Sequence, residues 1–398
     1  MRVTTAYTFN AGVEQLQRRQ QDLAEAQLRL TSGKRVQRAS DDPGAAARAE
    51  RALAQVARAD ADQRALEASR NAMTLTESAL GDAAELLQQA RETLVAAGNA
   101  SYSDGERAGL ARKLESLRAQ LLVVANRDDG SHGFLFAGQG AAQAPFVDAP
   151  GGVTYRGSGG GTATAAAEPL PLSVDGENAW TRARSGNGSF VTGVGEPASA
   201  TAWIDAGSVT DPSALTGADY EIVFGAGGAT YTVWRDGAPL AGHVDVPYPG
   251  AQAIEVDGMA LKIAGTPAAG DAFTVRASAP ELNVFDLLDR AIAELDTPLR
   301  SNAQVMQTVQ RGLRDLDASM GALQRLRAAV GEVLNRADAA EDRVAASRLH
   351  GQTERSHAED LDMVQAIADF QNQQTGYEAA LKTYATVQRL SLFQYLNG

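Results

Sequence analysis

The chain has 398 residues, 44% of them hydrophobic, which is enough for two or three folded domains and too apolar for a wholly disordered protein. A formal net charge of −13 argues against a nucleic-acid partner, because neutralising phosphates requires a basic footprint. The absence of cysteine excludes disulfides, thiolate metal sites and cysteine nucleophiles.

Met1 to Gly12 lacks the apolar core of a secretory signal, and no stretch approaches a membrane span, so no membrane insertion is expected. Leu16, Leu23 and Leu30 recur every seven residues, as an apolar stripe on a packed helix does, while Arg18 and Arg19 read as its solvated face. Gly33 can end that helix. Asp42 before Pro43 supplies an N-cap followed by proline at the first helical position, so a fixed corner joins two helices. Leu66, Met73, Leu80, Leu87 and Leu94 then repeat by seven, with small Ala83 and Ala90 in the complementary seam, which predicts a long packed helix. Leu110, Leu114, Leu117 and Leu121 mark another amphipathic helix, and Asp128-Asp129 after it reads as a turn.

Of the 13 prolines, 11 fall between Pro145 and Pro280, which leaves both flanks free to be helical. The same segment holds Trp180, Trp203 and Trp234 and is expected to form an independently folding β-rich unit. Tyr220 to Phe224, Thr230 to Trp234 and Phe273 to Val275 read as strands, and Ile254 to Ile263 as a hairpin turning at Asp257-Gly258. Gly157 to Gly161 is read as a flexible loop and not a phosphate cradle, since neither a helix pattern nor a reaching lysine follows. Asn187-Gly-Ser189 matches a glycosylation acceptor, a pattern too short to assign a role.

Val284, Leu288 and Leu295 mark a short helix before Pro298. Beyond it Val309, Leu316, Leu323, Val330, Ala337 and Val344 form one seven-residue series, and Met306, Leu313, Met320 and Leu334 a second, interrupted at Arg327. His350 and His357 lie two turns apart, not the three or four residues a metal pair needs, so no metal and no cofactor is expected. Phe370, Tyr377 and Tyr384 repeat by seven with Leu381 and Tyr395 on a neighbouring stripe, and Leu390 to Gly398 carries no charge. A free apolar tail is an association hazard unless packing covers it. Each chain end is half of something: its stripe needs the other terminus or a neighbouring subunit.

The segment Arg29 to Val36 followed by Ala39 to Gly44 and an alanine-rich helix resembles the N-terminal signature of the bacterial flagellin superfamily, on Leu30, Ser32, Gly33, Arg35, Ser40, Asp41, Asp42 and Pro43. Glu359 to Val364 and the run through Gln374, Tyr377, Leu381, Tyr384 and Leu392 resemble its C-terminal helix. Asp42-Pro43-Gly44 departs from the alanines of many flagellins. Gly133 to Gly138 with Pro145-Phe146 resembles the segment leading from rod to outer domain in the hook–filament junction members, Ala268 to Val275 is similar to segments of hook-associated proteins, and the ending Leu392 to Gly398 is unlike the usual flagellin tail. The resemblance implies an α+β multi-domain chain, a long antiparallel coiled-coil-like helical rod built from both ends with an inserted β-rich outer domain. Residues 1–45 with 350–398 would form the inner assembly core, 46–140 with 281–349 the rod, and 141–280 the outer domain. Leu16, Leu23, Leu30, Phe370, Tyr377, Leu381, Tyr384, Leu392 and Tyr395 would then be assembly contacts, with the ends ordering on assembly.

The implied partners are identical copies in a ring, the first junction protein, flagellin, and an export chaperone gripping the C-terminal helix. The implied location is the extracellular flagellum, reached by the flagellar type III route without a cleaved signal. Three rival readings are a filament flagellin, which copy number would distinguish, a generic coiled-coil adhesin or phage fibre, against which the motif matches at both ends stand, and an enzyme carried in the outer domain. Against the last, the chain has no His-Glu-x-x-His, no Gly-x-Ser-x-Gly and no catalytic motif that pairs a histidine with a plausible nucleophile.

Overall fold

The computed structural model describes residues 2–130, 133–139, 143–196, 198–248, 250 and 252–396, with side chains described at Tyr7 and within 9–387. The chain divides into two compact units, Met1–Arg64 with Glu341–Gly398, and Ala65–Ala340. Its long helices are α1 (Arg2–Ser32), α2 (Pro43–Ala97), α3 (Asp104–Ala125), α5 (Val284–Asp296), α6 (Asn302–Glu359) and α7 (Met363–Leu396), with a single turn, α4 (Glu177–Trp180), in the middle.

In the larger unit α2 and α6 run antiparallel, as shown by the pairs Arg70–Asp338, Glu77–Arg327 and Arg91–Asp317. Those exposed pairs are each worth at most about 1 kcal/mol. The apolar seam sets the register: Leu66, Met73, Leu80, Leu87 and Leu94 are all buried, as are Val309, Leu316, Leu323, Val330 and Ala337. Burying each large side chain contributes about 1.5–3 kcal/mol, so the seam outweighs the ion pairs. Met306, Leu313, Met320 and Leu334 are half-buried, and the interrupting Arg327 is exposed and bonded to Glu77. α3 begins with a capping box, the Ser103 hydroxyl accepting from the Glu106 amide while the Glu106 carboxylate accepts from the Ser103 amide. It packs against α5, whose Val284, Leu288 and Leu295 are buried.

The middle of the chain feeds two cores. The hairpin of β1 (Phe146–Ala149) and β2 (Gly152–Tyr155) joins the helical core, where Phe136, Phe146, Trp180 and Phe285 cluster with ring centroids 5.4–6.2 Å apart. Trp180 is therefore part of the helical core and not of a separate β unit, contrary to expectation. Its ring lies against those of Phe136, Phe146 and Phe285, all members of that core.

The β core proper follows the two-residue strand β3 (Ala183–Arg184), which pairs with β14 (Pro280–Leu282). It contains β4 (Phe190–Val194), β5 (Ala202–Ile204), β6 (Ser208–Val209), β7 (Tyr220–Phe224), β8 (Thr230–Arg235), β9 (Ala238–Pro239), β10 (Val246–Pro247), β11 (Ala253–Val256), β12 (Met259–Gly265) and β13 (Ala272–Ala277). One antiparallel sheet runs β10-β8-β7-β13-β4 with β9 on β8; the other runs β11-β12-β5 with β6 on β12. Alternation places Ile222, Phe224, Val233 and Phe273 opposite Ile204, Ile254, Leu261 and Ile263 in one core. The β11–β12 turn is Asp257-Gly258 at φ 41° and 76°, the paired left-handed geometry a two-residue hairpin requires. Gly157 to Gly161 is not a free loop: Ser158 donates to Ala137 and accepts from Gln139 through the backbone, and Thr162 donates to the Ser173 hydroxyl.

Candidate assembly site

The smaller unit holds both chain ends. α1 and α7 run antiparallel, with the Phe9 and Tyr384 rings 5.9 Å apart and the Arg19 guanidinium beside Gly376. Between α1 and α2 the chain turns a corner made from the signature residues. Gly33, at φ 69°, takes the left-handed position past the helix end, and its amide still donates to Arg29 at 2.9 Å. Asp42 caps α2 by accepting from the Ala45 amide at 2.9 Å, which leaves Pro43 at the first helical position where its missing N–H costs nothing. Asp41 ties the loop between them, accepting from the Gln37 and Arg38 amides at 3.0 and 2.9 Å.

A second corner, between α6 and α7, faces the first. Asp362 caps α7 by accepting from the Val364 and Gln365 amides. The corners are stitched by an antiparallel bridge between Lys34 and Asp360: the Arg35 amide donates to the Glu359 carbonyl at 2.7 Å and the Leu361 amide to the Gly33 carbonyl at 3.0 Å. Side chains add to it. Lys34 Nζ sits 2.7 Å from Glu359 Oε2, and Arg35 reaches the Ala358 carbonyl at 3.0 Å and Asp42 Oδ2 at 3.3 Å. The donated hydrogen bonds hold these carboxyls below the usual carboxylate range: the Arg38 and then Gln37 amides for Asp41, the Ala45 amide for Asp42, and the Lys34 ammonium for Glu359. Val36 and Ala45 are buried at the corner's centre, while Ser32, Arg35, Ser40 and Asp41 remain on its surface. Beyond the corner α2 and α6 approach closely along Ala49, Ala52 and Val56, where a Cβ on Gly351 would come 2.9 Å from Val56.

Leu16, Leu23, Leu30, Phe370, Tyr377 and Tyr384 are all half-buried between or beside α1 and α7, and Leu381 is 42% exposed. Leu392 and Tyr395 lie outside the residues whose side chains are described. Among the described residues, no side chain of α1 or α7 is fully buried. Tyr7, Leu28 and Val364 are 76%, 62% and 83% exposed, so the pair presents apolar surface that its own chain leaves uncovered. His350 and His357 are exposed, and among the described residues no group of three or more metal-ligating side chains converges. No helix among them is long and apolar enough to cross a membrane.

Long helices from both chain ends, two stitched corners and an inserted β domain define an axial protein of the flagellin type, and the chain belongs to the bacterial flagellin family. Residues 3–141 match the bacterial flagellin N-terminal helical region and 313–396 its C-terminal helical region, while 196–277 match the D2-like domain of flagellar hook-associated protein 1. Along its whole length the chain is similar to flagellar hook-associated protein 3 of Escherichia coli, 27% identical over 401 residues and covering 99% of each chain. Among solved structures it is similar to FlgL of Xanthomonas campestris, with 27% identity, a TM-score of 0.70, and 77% of this chain and 99% of that one covered. It is also similar to the flagellar junction protein FlgL of Legionella pneumophila, with 26% identity, a TM-score of 0.64, and 70% and 95% covered.

Proposed function

We propose that the chain is a structural subunit of the junction between flagellar hook and filament, acting by helix packing and not by catalysis. The observation that carries this reading is the end-to-end similarity to hook-associated protein 3, which includes the β domain as well as the helical ends. The partners of this subunit are identical copies in a ring, the first junction protein on the hook side and flagellin on the filament side. Before export, by the flagellar type III route and without a cleaved signal, a cytoplasmic chaperone covers the C-terminal helix.

The seam for this assembly is the α1–α7 pair. Leu16, Leu23, Leu30, Phe370, Tyr377 and Tyr384 are half-covered within the chain, and Leu381 faces outward, so a neighbouring subunit completes their burial. Leu392 and Tyr395 continue the stripe toward the C-terminus. The variant Leu381→Asp places a charge in that seam. It is expected to be absent from purified flagella while the purified chain keeps its circular dichroism spectrum and melting point; incorporation at the parental level would remove the seam.

A further inference from the structure

The β domain meets α6 through polar groups, in contrast to the apolar seam between α6 and α2. Gln307 and Arg314 are seven residues apart and so share one face of α6. The Gln307 side-chain carbonyl accepts from the Ile204 amide of β5 at 3.0 Å. Arg314 Nη1 donates to the Thr192 carbonyl of β4 at 2.8 Å and to its hydroxyl at 3.0 Å, while Nε donates to Asp315 at 2.9 Å. Just ahead of the helix, the Ser301 hydroxyl donates to the Ala200 carbonyl.

These contacts reach both sheets. The Thr192 hydroxyl donates onward to the Asp205 carbonyl at 2.6 Å, and the Asp205 carboxylate accepts from the Lys262 amide of β12 at 3.0 Å. The Arg314 and Asp315 side chains are only 6% and 5% exposed. A buried ion pair returns little net stability, because desolvation offsets its attraction. Hydrogen bonds, however, weaken steeply when misaligned, whereas apolar contact has no preferred direction. An arrangement that gains little stability but accepts one geometry selects orientation.

We propose that this face of α6 is a polar dock that fixes the attitude of the β domain on the helices, with Arg314 as its positioning residue. Every copy of the chain then presents its β domain at one angle, whether or not the junction reading holds. The test uses spin labels on the full chain at Glu85→Cys on α2 and Glu255→Cys on β11, two exposed sites in a protein without native cysteine. Replacing both partners, Arg314→Leu with Asp315→Leu, leaves no uncompensated buried charge, so the melting point is expected to stay at or above the parent's. The width of the label-to-label distance distribution is expected to grow roughly two-fold, because the directional bonds to Thr192 are gone. An unchanged width in the folded double variant overturns the dock. Gln307→Leu keeps the ion pair and removes only the bond to Ile204; it is expected to broaden the distribution in the same sense, and an unchanged width there also overturns the dock.

Discussion

Among the described residues, Leu299 is the positive-φ position held by neither glycine nor aspartate. It holds φ 62° in the turn between α5 and α6 and is 93% exposed, with its amide donating to Asp104 at 3.0 Å. A left-handed conformation costs a leucine about 1–2 kcal/mol, and glycine gives back roughly 0.5–1 of that in unfolded-state entropy. Leu299→Gly is therefore expected to stabilise the larger unit by about 0.5–1 kcal/mol, read from the urea midpoint; a lower midpoint would mean the turn is unstrained. The corner carboxyls respond to acid. Asp41, Asp42 and Glu359 are all held below their ordinary values, so their contribution is present above the unfolded carboxylate pKa of about 4 and is lost as pH falls through the folded values. The amide signals of Gln37, Arg38 and Ala45 should therefore keep their neutral-pH positions down to about pH 4 and move only below it. Movement near pH 6 would contradict this assignment of the bonds.

At the scale of elements, the seven-residue stripes were legible because a period of seven reports which helix face loses water, and the buried series on α2 and α6 fell where that period placed them. Strands β7, β8 and β13 and the Asp257-Gly258 hairpin were legible by alternation and turn chemistry, whereas β1, β2, β4 and β5 were not. The corner's two halves, Gly33 and Asp42, could be read locally. Their stitching to Glu359 and Leu361 could not, because a backbone bridge across more than 300 residues leaves no local pattern. The polar dock was hidden for a different reason: Gln307 and Arg314, read along a helix, look like solvated positions until the β domain is set against them. Trp180 misled because its neighbours in sequence are β-rich while its neighbours in space are Phe136, Phe146 and Phe285. The stripes also bear on order. A helix pair with no fully buried side chain among the described residues has little to offset the entropy of fixing its backbone, so α1 and α7 are expected to exchange their amides rapidly in the purified monomer. Protection of both helices as strong as that of residues 66–94 would show that assembly is not what orders them.

The whole molecule combines three things: an apolar seam that holds the helices together, a dock that orients the β domain, and chain ends whose apolar surface waits for neighbours. The family assignment rests on both ends and the middle matching together. That this chain seats the filament on the hook is tested in cells lacking its gene, by electron microscopy combined with an assay for flagellin in the medium. Bare hooks with abundant flagellin shed outside are expected; bare hooks with no filament protein in the medium would make the chain the flagellin itself, and normal filaments would contradict the junction role.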